Sequence, residues 1–544
     1  MRLPGALSRN RPATRAVALH GWNPATLAVL AGVWIAVLPN WPLWRALLAL
    51  PETASVRGIV FVTGFGAMIA ALLIALLAPF AWRATIKPAI AFLLLAAAFG
   101  AHFMGSYGVV IDTTMMVNVL QTDPREVRDL LSWRMLASVA LLAGLPLLLL
   151  WRAPLARARW WPQAGRNLLA LIAALLAIAA LVFALFADLS ATMRNHRSMR
   201  YLINPVNSLF ALVDLAAQSN AKPAGPPLPI GLDARITPRA AGALPPLLML
   251  MVGETARADH FSLNGYARVT NPELAPKDVL SFRDVMSCGT NTAASLPCMF
   301  SHLGKVGYEA RERDHENLLD LVQRAGMAVL WIDNQAGCKG LCDRVPHADT
   351  CAGDECMDET MLQGLDSRIE ALPAAARARG VLLVLHQMGS HGPAYFKRSP
   401  LDRKPFVPEC TTNVLQQCDR GALINGYDNS IVYTDHVLAQ AVAWLEHAQV
   451  HYDTTLLYVS DHGESLGENN LYLHGLPYAL APIEQKHVPM LLWPVAGRNA
   501  SCLRAQQNVP LTHDNLFHTS LGVLGIAASE YKPGLDALAP CRAH

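Results

Sequence analysis

The sequence predicts two unlike parts: an all-α transmembrane domain of five helices, then an α/β domain on the far side of the membrane. Three observations carry that expectation. Of 544 residues 53% are hydrophobic and only 16% charged, against roughly 25% charged for an ordinary soluble domain. The apolar excess lies in the first two hundred residues, and all ten cysteines lie at or after Cys288. This composition excludes a purely soluble chain. A formal net charge of +3, with no Lys/Arg-rich run after the first 20 residues, leaves no electrostatic footprint for nucleic acid.

Five stretches, residues 24–47, 59–82, 88–104, 135–151 and 168–186, are apolar enough to cross a hydrocarbon core that takes about 20 helical residues. Arg2, Arg9, Arg11 and Arg15 precede the first as they would a signal peptide. Four further spans follow and no small-residue cleavage site leads into a polar start, so the first is expected to stay as an anchor. Orientation comes from basic residues in short loops. The four N-terminal arginines, Arg83 and Lys87 after span two, and Arg152, Arg157, Arg159 and Arg166 after span four share one side, the cytoplasm. An odd number of spans puts everything after Asp188 outside. The cysteines agree, since an even set confined to one half reads as disulfides in an oxidising compartment. Trp41, Trp82, Trp133 and Trp151 fall near span ends, as an interfacial belt requires.

In the loop after span three, Asn118, Thr122 and Glu126 are spaced i, i+4, i+8, so one helix would carry all three on a single face. That face is either solvated or a polar lining for a lipid headgroup. Residues 204–218 read as an interfacial amphipathic helix with a weak polar face, and the Pro- and Gly-rich stretch 222–246 as a linker. The predicted organisation is therefore a transmembrane domain over 1–189, a bridging helix and linker over 190–246, and a catalytic domain over 247–544.

From Leu247 short apolar runs alternate with helical stretches, which argues for a largely parallel sheet covered on both faces. Each run ends informatively. Residues 247–252 lead into Gly253 and Glu254, 328–332 into Asp333 and Asn334, 381–385 into His386 and then His391, and 455–459 into Ser460, Asp461 and His462. Sites in open α/β sheets form beyond the carboxyl ends of strands, so four segments deliver Glu, Asp and His to one edge. Glu254, Asp461 and His462 offer hard oxygens and one imidazole, a set suited to Zn²⁺ with an open position. A helix N-cap beside a surface histidine is the lesser alternative for Asp461 and His462, because the run DHGESLGENNLYLHG adds His474 in a loop-like setting. In CGTNTAASLPCMF (288–300), Thr292 sits between two cysteines. It is either an N-cap in a turn or a nucleophile whose oxygen, on a metal, needs no neighbouring base.

These segments together resemble a known family. GETARADHFSLNGY (253–266), SCGTNTAASLPCMFS (287–301), HQMGSHGPAY (386–395), NGYDNSIVYTD (425–435) and YVSDHGESLGENNLYLHG (458–475) are similar to the phosphoethanolamine transferases of Gram-negative inner membranes. That group includes lipid A modifying and mobile colistin resistance enzymes, which join five spans to a periplasmic domain of the alkaline phosphatase and sulfatase type. The resemblance implies Glu254, Thr292, Asp461 and His462 as zinc ligands, with Thr292 also the residue that takes up phosphoethanolamine. It implies His391, His474 and Lys339 near the bound phosphoethanolamine, and Asn118, Thr122 and Glu126 around the ethanolamine headgroup. It further implies sequential disulfides, 288 with 298, 338 with 342, 351 with 356, 410 with 418, and 502 with 541. A structural zinc on Cys338, Cys342, Cys351 and Cys356 is the alternative, disfavoured by their loose spacing.

The activity expected is transfer of phosphoethanolamine from phosphatidylethanolamine to a lipid A phosphate through a covalent threonine intermediate, with diacylglycerol released. The alternative keeps the donor and changes the acceptor to a lipopolysaccharide core sugar or a periplasmic glucan. One tight zinc site is expected, with a second, weakly held zinc between His391 and His474 as a variant, in a monomer of the inner membrane.

Overall fold

The computed structural model describes residues 21–122, 124–221, 225–351, 356–495 and 499–542. Arg2, Arg9, Arg11 and Arg15, part of the orientation argument, lie outside them. The chain divides into two compact units, Met1–Phe99 with Ser138–Met199, and Gly100–Ala137 with Arg200–His544. The loop between the third and fourth apolar stretches therefore clusters with the catalytic part of the chain.

Among the described residues four helices are long and apolar enough to cross a membrane, Val56–Phe80, Ile86–Tyr107, Trp133–Arg152 and Trp160–Ala184. The first predicted span is not one straight helix. It is a pair, Pro24–Val37 and Trp41–Leu48, bent by 46°. Pro39 and Pro42 flank the break, and neither has an N–H to continue the ladder. Asn40 is buried there and donates Nδ2 to the Ile35 carbonyl at 2.9 Å. The helix Val56–Leu77 packs between Pro24–Val37 and Trp160–Ala184. Small residues allow the approach: a Cβ on Gly32 would meet Ile74 Cγ1 at 2.8 Å, and Ala71, Ala75 and Ala174 form one cluster.

The other unit is built on a seven-stranded sheet: β1 (Pro246–Gly253), β2 (Leu280–Phe282), β3 (Ala328–Asp333), β4 (His347–Asp349), β5 (Val381–His386), β6 (Asp453–Ser460) and β7 (Met490–Trp493). The spatial order is β2-β7-β6-β1-β5-β3-β4. β6, β1, β5, β3 and β4 run parallel, while β7 is antiparallel to both β6 and β2. The parallel expectation thus holds for the centre, and one edge is antiparallel. Along β1, Leu248, Leu250 and Val252 enter one core and Leu247, Met249 and Met251 the other. A strand covered on both faces needs an unbroken apolar run, which is what the sequence carries there. The long helix Arg420–Ala448 covers the second face through Tyr427, Ile431, Leu438 and Leu445.

From Leu228 on, the stretch predicted as a linker is bonded to this unit. Leu228 N donates to Asp314 O at 2.8 Å, Arg235–Ile236 pairs with Ile526–Ala527, and Ile230 is buried in the core. Prolines tolerate such an edge position because one side of the strand makes no ladder bonds. All five disulfides pair sequentially, as the resemblance implies. This removes the alternative of a structural zinc on Cys338, Cys342, Cys351 and Cys356.

Cys502 and Cys541 close a separation of 39 residues, against 4 for Cys338 and Cys342. By loop-closure entropy, replacing Cys541 with Ser should cost about 4 kcal/mol and replacing Cys342 with Ser about 2. Chemical denaturation of the two variants checks the order; equal losses would contradict it.

Candidate active site

The site lies where β1 and β6 end side by side. Asp461 N donates to Gly253 O at 2.9 Å, so the two strand ends are tied through the backbone. Gly253 must lack a side chain, because a Cβ would fall 2.3 Å from Tyr458 Oη. Thr255 adopts φ 61°, a costly conformation for a β-branched residue. It is held there because Thr255 N donates to Asp461 Oδ1 at 3.2 Å and its hydroxyl to Glu254 Oε1 at 2.7 Å. Strain and hydrogen bonds together fix the Glu254 carboxylate against Asp461.

Glu254, Asp461 and His462 are fully buried, and one ligand atom from each lies within 4.8 Å of the others. His462 Nε2 is 3.3 Å from both Glu254 Oε1 and Asp461 Oδ2. Its Nδ1 meets the Gly463 carbonyl at 2.9 Å, which turns Nε2 toward the carboxylates. Apart from that His462 approach, Asp461 Oδ2 accepts no hydrogen bond from the described residues. A buried carboxylate oxygen this short of donors, beside a second carboxylate and an imidazole, belongs to a donor set that a divalent metal satisfies.

Charge follows the same geometry. Burial and the nearby Glu254 charge push Asp461 up to about 7. Burial also opposes the charge on Glu254, but the hydrogen bond and charge of His462 outweigh it and hold that carboxyl well below the usual range. For His462 burial is outweighed by Asp461 and Glu254, which raise it to about 10.

A third segment brings Thr292. Asn291 caps the helix Thr292–Met299 by accepting from Ala294 N at 2.9 Å, and Ser295 Oγ donates to the Asp461 carbonyl at 2.5 Å. The Cys288–Cys298 bridge closes a ring around this turn. Thr292 Oγ1 consequently sits 3.1 Å from Glu254 Oε2 and 3.4 Å from His462 Nε2, with Thr292 only 3% exposed. Its place at a helix start adds a partial positive field.

His391 and His474 border the cluster. The His474 ring lies 4.3 Å from His462 and 5.5 Å from His391, centroid to centroid. Two partners that the sequence reading missed fix His474: Glu464 Oε2 lies 2.7 Å from its Nδ1, and Tyr395 donates its hydroxyl to Glu464 Oε1. Burial pushes Glu464 up to about 8, against the Tyr395 hydrogen bond and the charges of His462 and His391. His513 was missed too. Its Nδ1 accepts from Cys288 N at 3.0 Å while Nε2 faces the Ser460 carbonyl at 2.9 Å, so a neutral ring joins the threonine loop to β6. Burial holds it neutral by lowering it to about 3. Only Glu464, two residues after His462 in the DHGES run, carried a sequence signal.

Not every expected residue enters the cluster. Asp333 and His386, at the ends of β3 and β5, pair with each other at 2.9 Å, and Asp333 also accepts from Trp331 Nε1 and Gln335 N. Asp333 thus organises the loop that follows it. Lys339 adopts φ 50° and donates Nζ to the carbonyls of Ala336 and Gln121, at 3.1 and 3.3 Å.

Asn118, Thr122 and Glu126 do not share one helix face. Helix α1 (Thr113–Gln121) stops before Thr122, which turns to ψ 130°, and α2 (Pro124–Leu130) starts afresh. Pro124 has no N–H for a continuing ladder. The Thr122 hydroxyl is spent on the Asn118 carbonyl at 2.8 Å. The segment nonetheless covers the site. α1 packs against the Thr292 helix, Met115 lies where a Cβ on Gly475 would be, and Glu126 Oε1 is 3.5 Å from His391 Nε2.

Sheet order, strand-end acids and a buried threonine define the sulfatase and alkaline phosphatase class, joined here to membrane helices. The sulfatase family model matches residues 246–526, and the model for phosphoethanolamine transferase EptA/EptB matches 69–219. Phosphoethanolamine transferase EptA of Escherichia coli K12 is 39% identical over 538 residues, 94% of this chain and 96% of that protein. Phosphatidylethanolamine transferase Mcr-1 of Escherichia coli is 39% identical over 486 residues, 86% of this chain and 88% of that protein. The solved integral membrane lipooligosaccharide phosphoethanolamine transferase A of Neisseria meningitidis superposes with a TM-score of 0.90 at 31% identity, over 95% of this chain and 99% of that one. The chain belongs to the phosphoethanolamine transferase family. It is an enzyme and a multi-pass inner-membrane protein with its catalytic domain in the periplasm.

Removing one carboxylate tests the donor set. Asp461→Asn should weaken metal binding at least 10- to 100-fold, read as substoichiometric metal by elemental mass spectrometry against about one ion in the parent. Equal metal content in both would place the metal elsewhere.

Proposed function

We propose that this chain transfers phosphoethanolamine from phosphatidylethanolamine to a phosphate of lipid A in two steps, through an ester on Thr292. The observation that carries the reading is the Thr292 hydroxyl, 3.1 Å from Glu254 and 3.4 Å from His462 in a buried carboxylate and imidazole cluster. The names of the relatives supply the group transferred, and one solved relative is named for lipooligosaccharide.

In the first step the Thr292 oxygen attacks phosphorus, the bond from phosphorus to the diacylglycerol oxygen breaks, and that oxygen leaves with a proton. In the second a lipid A phosphate oxygen attacks the same phosphorus, and the Thr292 oxygen departs and regains its proton. Zn²⁺ is the metal we assign to Glu254, Asp461 and His462, with Thr292 as the fourth ligand. When bound it would lower the pKa of the threonine hydroxyl and offset charge on phosphoryl oxygens. His391 and His474 flank the site and are assigned to hold phosphate oxygens or carry the proton of a leaving oxygen. Lys339, Asn118, Thr122 and Glu126 are assigned to substrate binding, with Glu126 the best placed because it reaches His391.

In this reading residues 1–189 anchor the chain, 190–246 bridge, and 247–544 perform the chemistry. We assign a monomer as the catalytic unit. Anchoring suits lipid substrates, because tethering raises their effective concentration at the site.

Intact-protein mass spectrometry after incubation with phosphatidylethanolamine should show one phosphoethanolamine on the parent, mapped to Thr292 and lost when lipid A is added. Thr292→Ala should form no adduct and lose transfer; a variant that still made full product would overturn the covalent step. An adduct that persists with lipid A but discharges to a core sugar or glucan would move the acceptor. Treating the parent with a strong chelator should stop labelling, and added zinc should restore it.

A further inference from the structure

Helix α2 grips His391 from two sides. Glu126 and Asp129 are three residues apart on it and so share a face. Glu126 Oε1 approaches the His391 ring at 3.5 Å. Asp129 reaches the same residue through its main chain: Asp129 Oδ2 holds Arg398 Nη2 at 2.8 Å, and Arg398 Nε donates to the His391 carbonyl at 2.7 Å. Lys397 Nζ completes the carboxylate by binding Oδ1 at 2.7 Å.

Asp129 is 6% exposed and Arg398 8%, so the Arg398 charge depends on Asp129, while Lys397, about a third exposed, pairs with the same carboxylate from the solvent side. The turn itself is anchored, since Asn413 Nδ2 donates to the Asp129 carbonyl at 2.6 Å and Tyr107 Oη to the Asn413 carbonyl at 3.4 Å. A planar guanidinium suits this duty. It presents Nε and Nη2 in one fixed fork, so where the carboxylate stands determines where the carbonyl is held.

We infer that Asp129 is a positioning residue for His391, acting through Arg398, so that a segment preceding the fourth span sets the geometry of a periplasmic site residue. The inference rests on the role assigned to His391 above. A histidine that must meet a phosphate oxygen or pass a proton works only within a narrow distance, and a displacement of about 1 Å can cost a hundredfold in rate.

The test is a kinetic cycle on full-length, metal-loaded enzyme with phosphatidylethanolamine as donor, using single-turnover labelling of Thr292 and steady-state transfer for the parent, Asp129→Asn, His391→Ala and the double variant. Asp129→Asn should lower kcat about ten- to hundredfold while KM for the donor stays within about twofold. In the His391→Ala background it should cost less than about twofold, because its route to the chemistry is already gone.

The same fold-loss in both backgrounds, or none in either, overturns the inference. Arg398→Lys guards against a variant that does not fold or a background too slow to read. It keeps a cation for Asp129 but has no fork to hold the carbonyl as well. It should lose kcat at the parent's melting temperature and metal content, and an unchanged kcat overturns the inference. A parent that never labels Thr292 sinks the two-step reading and this inference with it.

Discussion

Two carboxylates with no access to solvent, Glu254 and Asp461, meet one imidazole and one hydroxyl at the carboxyl edge of the sheet. Charge in such a place stands only when it is compensated, and much of the domain is arranged around that requirement. Backbone bonds tie the two strand ends together, Ser390 N donates to the Glu254 carbonyl at 3.0 Å, and Ser295 holds the Asp461 carbonyl from the threonine helix. The strained Thr255 is the local cost of placing Glu254. What these contacts leave over is one buried Asp461 oxygen that accepts no hydrogen bond from the described residues and has only the His462 ring, 3.3 Å away, to offset its charge.

Around this centre the sheet and the covering segment have different duties. The sheet delivers acids and imidazoles from fixed strand ends, as open α/β sheets do. Helix α1 packs on the threonine helix, and Glu126 of α2 approaches His391. The segment 113–130 reaches the residues around the cluster through charge and main-chain contacts, chiefly Lys339 to Gln121 and Asp129 to Arg398.

Much of the fold was legible because its signals are local. Unbroken apolar runs before GE, DN, HQ and SDH marked the central strands, and a cysteine set confined to one half marked the compartment. The motif resemblance supplied the disulfide pairing, and no spacing argument would have. Helix breaks and tertiary contacts were the parts misread. Asn118, Thr122 and Glu126 have helical spacing, but Pro124 breaks the helix between them, and a single proline outweighs a three-residue period. Pro39 and Pro42 bend the first span in the same way. Asp333 and His386 looked like site residues because each follows a strand, yet neighbouring strands bring them together as a pair. His513 and Asp129 lie more than two hundred residues from the groups they bind, Cys288 and Arg398, so no window of sequence could have joined them.

The account stands or falls on whether Glu254, Thr292, Asp461 and His462 act as one metal-bound unit. Anomalous diffraction at the zinc edge, on crystals of the full chain, tests this most directly. The account predicts a single strong peak within about 2.3 Å of the Asp461, Glu254, His462 and Thr292 donor atoms. A strong zinc peak elsewhere, with this cluster empty and its carboxylates held only by protein hydrogen bonds, would contradict it.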